Sequence, residues 1–203
     1  MYYHIEGILT HKDGSLAVID CGGVGYKLNI TYTTYTRLPE VGKKFKLYTH
    51  LVVKDDALEL LGFYDLAEKN SFVMLTSVSG IGVKSAVSVL STLTPERFAF
   101  AVASGDHKEI ALAHGVSAKT AQKIILELKD KINKESAALE KSGGGEVYTP
   151  ESSGGNMRGD AINALVVLGY SRVEASEALK TVDLTKPLEE IIKLALKNLM
   201  INP

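Results

Sequence analysis

Seven residues of this chain occur twice in closely related form, Gly80-Ile81-Gly82-Val83-Lys84-Ser85-Ala86 and Gly115-Val116-Ser117-Ala118-Lys119-Thr120-Ala121. Each copy stands where one apolar helical stretch breaks at glycine and another begins. Glycine admits a positive φ and carries no Cβ, so backbone N–H groups can come close to a ligand. The helix that follows starts with unpaired N–H donors and a partial positive charge. Lys84 and Lys119 add a cation to that first turn, and Ser85 and Thr120 add a hydroxyl. The chemistry this supports is the holding of phosphate.

A nucleotide-binding P-loop requires four residues between its glycines and a glycine directly before the lysine. Here one residue separates Gly80 from Gly82, and Val83 and Ala118 precede the lysines. The P-loop is therefore rejected. A single Gly-Ile-Gly turn would read as an ordinary helix C-cap. Two copies with lysine at the same offset read instead as a paired helix-hairpin-helix, whose amides meet successive phosphates of DNA without reading bases. The second copy has Ser117 where the second glycine should stand. Either that residue is left-handed, at roughly 1 kcal/mol or more, with looser binding as the result, or Ser117 caps its helix.

The elements around these turns divide the chain. Residues 1–64 alternate as strands do, with Tyr3, Ile5, Leu9, then Leu16, Val18, then Tyr26, Leu28, Ile30, then Phe45, Leu47, Leu51. Turn residues separate them at Asp13-Gly14, Gly22-Gly23, Pro39 and Gly42, which suits a small closed barrel. Residues 65–140 change to helical period and hold both hairpins in about five short helices. Residues 141–155 are rich in glycine and serine and read as a flexible tether. Residues 156–203 return to helical period as a three-helix unit. Gly169 ends its first helix, Ser171 to Glu174 forms a capping box for the second, and Pro187 opens the third. So small a unit on a tether reads as a docking module, and Leu165, Leu168 and Tyr170 around the Gly169 turn are its candidate exposed contacts. The fold class is multidomain α+β.

Charge adds a constraint. The 203 residues carry 23 Lys and Arg against 24 Asp and Glu, a formal net charge of −1. Any DNA-binding basic surface must therefore be local. One cysteine, Cys21, excludes an internal disulfide framework and suits a reducing compartment; it reads as a small buried strand residue. No signal peptide and no apolar run of spanning length is present, so a soluble, cytoplasmic protein without membrane contact is expected.

Catalytic chemistry finds no support. The five histidines lack metal-ligand spacing, no nucleophile elbow occurs, and neither a metal nor another cofactor is expected. Lys54-Asp55-Asp56-Ala57 reads first as a hairpin tip, since Asp favours turns. On a DNA-binding face it acquires a sharper sense. Asp55 and Asp56 would repel phosphates and help choose the path of the strands, while Lys54 holds one. A glycosylase or nuclease would need a catalytic Lys and Asp or a carboxylate–metal centre, which the sequence does not supply. A generic helix-hairpin-helix binder, or a single-strand binder using barrel tyrosines such as Tyr2, Tyr3, Tyr26, Tyr32 and Tyr35, is the alternative.

Taken together, Gly22-Gly23-Val24-Gly25-Tyr26, the run from Thr49 through Asp56 to Leu61-Gly62-Phe63, the turn Ser79 to Lys84, and Ala164 to Tyr170 resemble the bacterial RuvA family of Holliday junction branch migration subunits along the whole chain. The resemblance implies an OB-like barrel, a UBA-like C-terminal domain and a homotetramer that holds a four-way DNA junction open and square-planar. It implies that Lys84 and the amides of Gly80 and Gly82 hold phosphates, with Gly115, Lys119 and Lys123 nearby. Ile81, Ser85, Ser117 and Thr120 complete the expected DNA-binding set. Asp55 and Asp56 match the family's acidic pin at the strand crossing. The C-terminal domain would dock the hexameric RuvB ATPase, with the RuvC resolvase in the same complex, and the chain itself would hydrolyse nothing. Its departures are Ser117, His114 in place of a frequent proline, and an Asp-Asp pin where Glu-Asp is common.

Overall fold

The computed structural model describes residues 2–55, 57–141 and 157–201. Five strands, β1 (His4–Lys12), β2 (Leu16–Asp20), β3 (Gly25–Ile30), β4 (Lys44–Val53) and β5 (Leu58–Phe63), close in the order β1-β2-β3-β5-β4. β1 pairs with both β2 and β4, and only the β3–β5 contact is parallel. Side chains alternate across each strand, so Ile5, Leu9, Ile19, Leu28 and Leu47 all turn into the barrel and are buried. This is the closed barrel expected from the alternation, in the OB-like form that the family resemblance implies.

The alternation did not reveal α1 (Tyr32–Arg37), which lies between β3 and β4. Its Tyr-Thr-Thr-Tyr-Thr sequence favours strands, yet Thr31 caps it by accepting the Thr34 N–H at 2.9 Å. Cys21 also departs from expectation. It lies half-buried in the bend after β2, not in a strand, and its Sγ donates to the Glu6 carbonyl.

Helix α1 exists to join the barrel to the helices that follow, α2 (Leu66–Thr76), α3 (Val83–Thr92), α4 (Pro95–Ser104), α5 (His107–Ile110) and α6 (Ala118–Lys141). The joint is polar and buried. Glu68 on α2 is fully buried and accepts from the hydroxyls of Thr31 and Thr34, the latter at 2.6 Å, and from the Tyr64 N–H at 3.1 Å. Arg37 pairs with Asp65 at 2.7 Å while lying over the Tyr64 ring, and Asp65 caps α2. One carboxylate on α2 thus ties the start of α1 and the Tyr64 link to the helices that carry the hairpins.

Five helices were expected between 65 and 140 and five are found there, although α6 is long, at 24 residues. The C-terminal three are α7 (Met157–Val167), α8 (Arg172–Ala178) and α9 (Leu188–Ile201). Ser171 and Glu174 form the expected capping box, and Gly169 after α7 has φ 103°. Apart from Lys141, which ends α6, the expected tether over 141–155 lies outside the described residues.

The C-terminal helices are not free of the rest. α9 packs along α4 and α7 against α6, and the Asn70 side chain donates to the Gly169 carbonyl at 3.1 Å. Leu165, Leu168 and Tyr170, expected to be exposed, are buried. The reason is that the end of α7 and the Gly169 turn lie against the helical domain, so these residues join one apolar cluster with it instead of meeting solvent. Among the described residues the Tyr170 hydroxyl has no hydrogen-bond partner, and burial pushes its pKa up.

Candidate nucleic-acid interface

The two heptapeptides form two nearly equivalent turns. Gly80 and Gly115 are left-handed, at φ 85° and 76°. A β-carbon would strain that backbone, which is why glycine stands at both positions. The next residues, Ile81 and Val116, are the anchors, each 6% exposed. Their amides close the turns on the Val78 and Ala113 carbonyls at 3.0 and 3.1 Å. Helices α3 and α6 begin directly afterwards, with Lys84 and Lys119 exposed on their first turns.

The copies also hold each other. Lys123 on α6 donates to the Ser79 carbonyl of the first turn at 2.6 Å, and Ser88 on α3 donates to the His114 carbonyl of the second turn at 2.8 Å. Lys123 occupies in the second copy the place of Ser88 in the first, and His114 the place of Ser79. Each helix therefore secures the other copy's turn, and the two turns form one unit. Lys123 also pairs with Glu127, whose carboxylate accepts the Ser79 N–H at 3.2 Å. Ser88 was missed as a sequence candidate, though aligning the repeat would have pointed to it.

Three models of known families match the chain. Residues 1–62 match the RuvA N terminal domain, 72–130 the SAM-like helix-hairpin-helix tandem, and 156–200 the RuvA C-terminal domain. The chain belongs to the RuvA family. It is 42% identical to the Holliday junction branch migration complex subunit RuvA of Acetivibrio thermocellus over 98% of both chains. The proteins of that name from Ruminiclostridium cellulolyticum and Christiangramia forsetii are 37% and 38% identical, each over 98% of this chain and all of the relative.

In this RuvA-family chain the position of Ser117 does not call for a left-handed residue. The equivalent Gly82 has φ −90°, extended backbone that any residue adopts. Ser117 caps α6 instead, its Oγ accepting the Thr120 N–H at 3.1 Å and lying 2.8 Å from the Thr120 hydroxyl. The consequence is an asymmetry. Gly82 gives α3 no side-chain acceptor, so its first-turn amides are open to an anion, whereas one amide of α6 is already engaged. Ser117→Ala is expected to cost about 1 kcal/mol and Ser117→Gly only a few tenths. Thermal unfolding of the two variants checks the difference.

The β4–β5 hairpin carries the Lys54-Asp55-Asp56-Ala57 segment at its tip. Its turn closes through the Lys54 N–H on the Ala57 carbonyl at 2.9 Å, and Asp55 is exposed at the tip. Asp56 lies outside the described residues. Lys54, expected to hold a phosphate, pairs with Glu59 at 2.6 Å, so its charge is shared with a carboxylate of the same hairpin. Among the described residues, no group of three or more His, Cys, Asp or Glu is placed to hold a metal, and no helix is long and apolar enough to cross a membrane.

Proposed function

We propose that this chain is the junction-binding subunit of a branch migration complex. Four copies assemble around a fourfold axis, hold a Holliday junction open and square-planar, and recruit the RuvB ATPase ring, with RuvC resolvase joining the same cytoplasmic complex. The chain supplies grip and geometry, and ATP hydrolysis belongs to RuvB. The observation that carries this reading is the coupled pair of hairpins, whose reciprocal ties hold two anion-facing helix starts in one unit. Exposed Lys84 and Lys119, with the amides of Gly80, Gly82 and Gly115, meet the phosphates. Fourfold assembly concentrates these cations on one face, which reconciles DNA binding with a net charge of −1.

Asp55 and Asp56 act by exclusion at the crossing of strands. Replacing both with Asn is expected to strengthen duplex binding roughly fivefold, the equivalent of about 1 kcal/mol for unit charges ~4 Å apart in water, and to erode junction preference by a similar factor. Gel-shift titration of the double variant with both DNAs checks this, and unchanged discrimination would remove the pin from the account.

Motor docking falls to the C-terminal unit. For Leu165, Leu168 and Tyr170 to meet RuvB, α7 and α9 must leave the face of α4 and α6 on which they lie. A second reading, single-strand binding by the barrel, draws on Tyr2 and Tyr3, 48% and 59% exposed, with Lys69 4.5 Å from the Tyr3 ring centroid.

A further inference from the structure

The β4–β5 hairpin outruns the barrel that it helps to close. Thr49↔Gly62, Leu51↔Leu60 and Val53↔Leu58 are successive register partners that alternate onto one face of the hairpin. At Gly62 that face is the barrel interior, since a Cβ there would lie 3.1 Å from the side chains of Leu28 and Leu47. Leu60 still packs against the barrel core. One pair further on, cover ends: Val53 is 70% exposed and Leu58 71%. Two large apolar side chains therefore stand side by side in solvent, directly beneath the Lys54-Asp55-Asp56-Ala57 turn.

We infer that Val53 and Leu58 form an apolar wedge against unstacked bases at the centre of the junction. The inference rests on the proposed function and adds residues that recognise neither phosphate nor charge. Phosphate is an unsuitable occupant, because the pair offers no donor and Asp55 stands beside it. A second copy of the same tip is also disfavoured, since each tip carries more acid than base and like charges would converge. The flat face of a base is apolar and uncharged. It can lie on Val53 and Leu58 while the adjoining carboxylates keep its own phosphate at a distance. Apolar side chains set between base steps are an established way to hold a duplex unstacked. Here the acidic turn directs the strands apart, and the pair covers the base surface that separation exposes.

The test uses the full chain and a four-way junction with 2-aminopurine at the crossing, whose fluorescence rises on unstacking. The double variant Val53→Thr, Leu58→Gln changes only exposed side chains, and sedimentation shows whether its assembly is altered. Wild type is expected to raise the fluorescence several-fold, and the variant to lose roughly half or more of that rise while its junction affinity stays within about threefold. An equal rise with the variant overturns the wedge, as does no rise with wild type bound to the junction. A changed assembly state overturns it too, by assigning the pair to contact between copies. If wild type shows no preference for the junction, the proposed function fails and the inference falls with it, a result that the binding curves separate from the others.

Discussion

Lys84→Glu is expected to weaken binding to every DNA, four-way junction and duplex alike, by tenfold or more. The lysine stands exposed on the first turn of α3, beside amides that no side chain caps, and makes no ion pair among the described residues. Reversal replaces an attraction to phosphate with a repulsion at the hairpin most open to an anion. In a tetramer the change occurs four times. Each lost phosphate contact reduces the slope of log affinity against log salt by about one, so the slope should become shallower by up to about four. Lys119→Glu is the control, with a smaller loss, because Ser117 already engages one amide of that turn. Gel-shift titrations at several salt concentrations measure both quantities. A variant with unchanged affinity and slope would show that the first hairpin does not hold DNA.

Glu68→Ala is expected to be the most destabilising of these substitutions. It leaves the Thr31 and Thr34 hydroxyls facing a buried gap without their acceptor, while the Tyr64 N–H keeps only the Thr34 Oγ1 at 3.0 Å. Unsatisfied buried donors cost about 1–3 kcal/mol each, so a loss of about 3 kcal/mol or more follows. For a chain of this size that corresponds to a fall in Tm of roughly 6–12 °C. Glu68→Gln separates charge from shape. Burial outweighs the hydrogen bonds and raises the Glu68 pKa above its ordinary value of 4.5. The native state therefore retains this proton at pH values where the unfolded chain has released it. Stability from this group is full below pH 4.5 and is lost as pH rises through the raised native pKa. Glu68→Gln should remove that part of the pH slope, which denaturant unfolding at a series of pH values would reveal.

The parts of the fold written in local pattern were legible before the structure. Alternation located the barrel strands, and glycine, proline and capping residues located the starts of α3, α4, α6, α8 and α9 and the end of α7. The hairpins were legible because backbone chemistry demands glycine at Gly80 and Gly115, and because duplication made the demand visible twice. What escaped depends on residues far apart in the chain. Glu68 reads as an ordinary first-turn acid, and only Thr31 and Thr34 from the barrel side reveal it as a buried tie. Helix α1 was hidden by strand-favouring side chains whose conformation its cap and this joint decide. The burial of Leu165, Leu168 and Tyr170 could not be read from the C-terminal segment, because it comes with their joining one apolar cluster with helices far away in the chain.

The central claim, recognition of a four-way junction by its shape, is tested most directly by gel-shift competition at fixed, stated salt. Four-way junction, duplex and single strand of matched length compete for the full-length chain. Strong preference for the junction is the predicted result. Equal affinity for duplex would contradict it and leave a general helix-hairpin-helix grip, while preference for single strand would move the binding site to the tyrosines of the barrel.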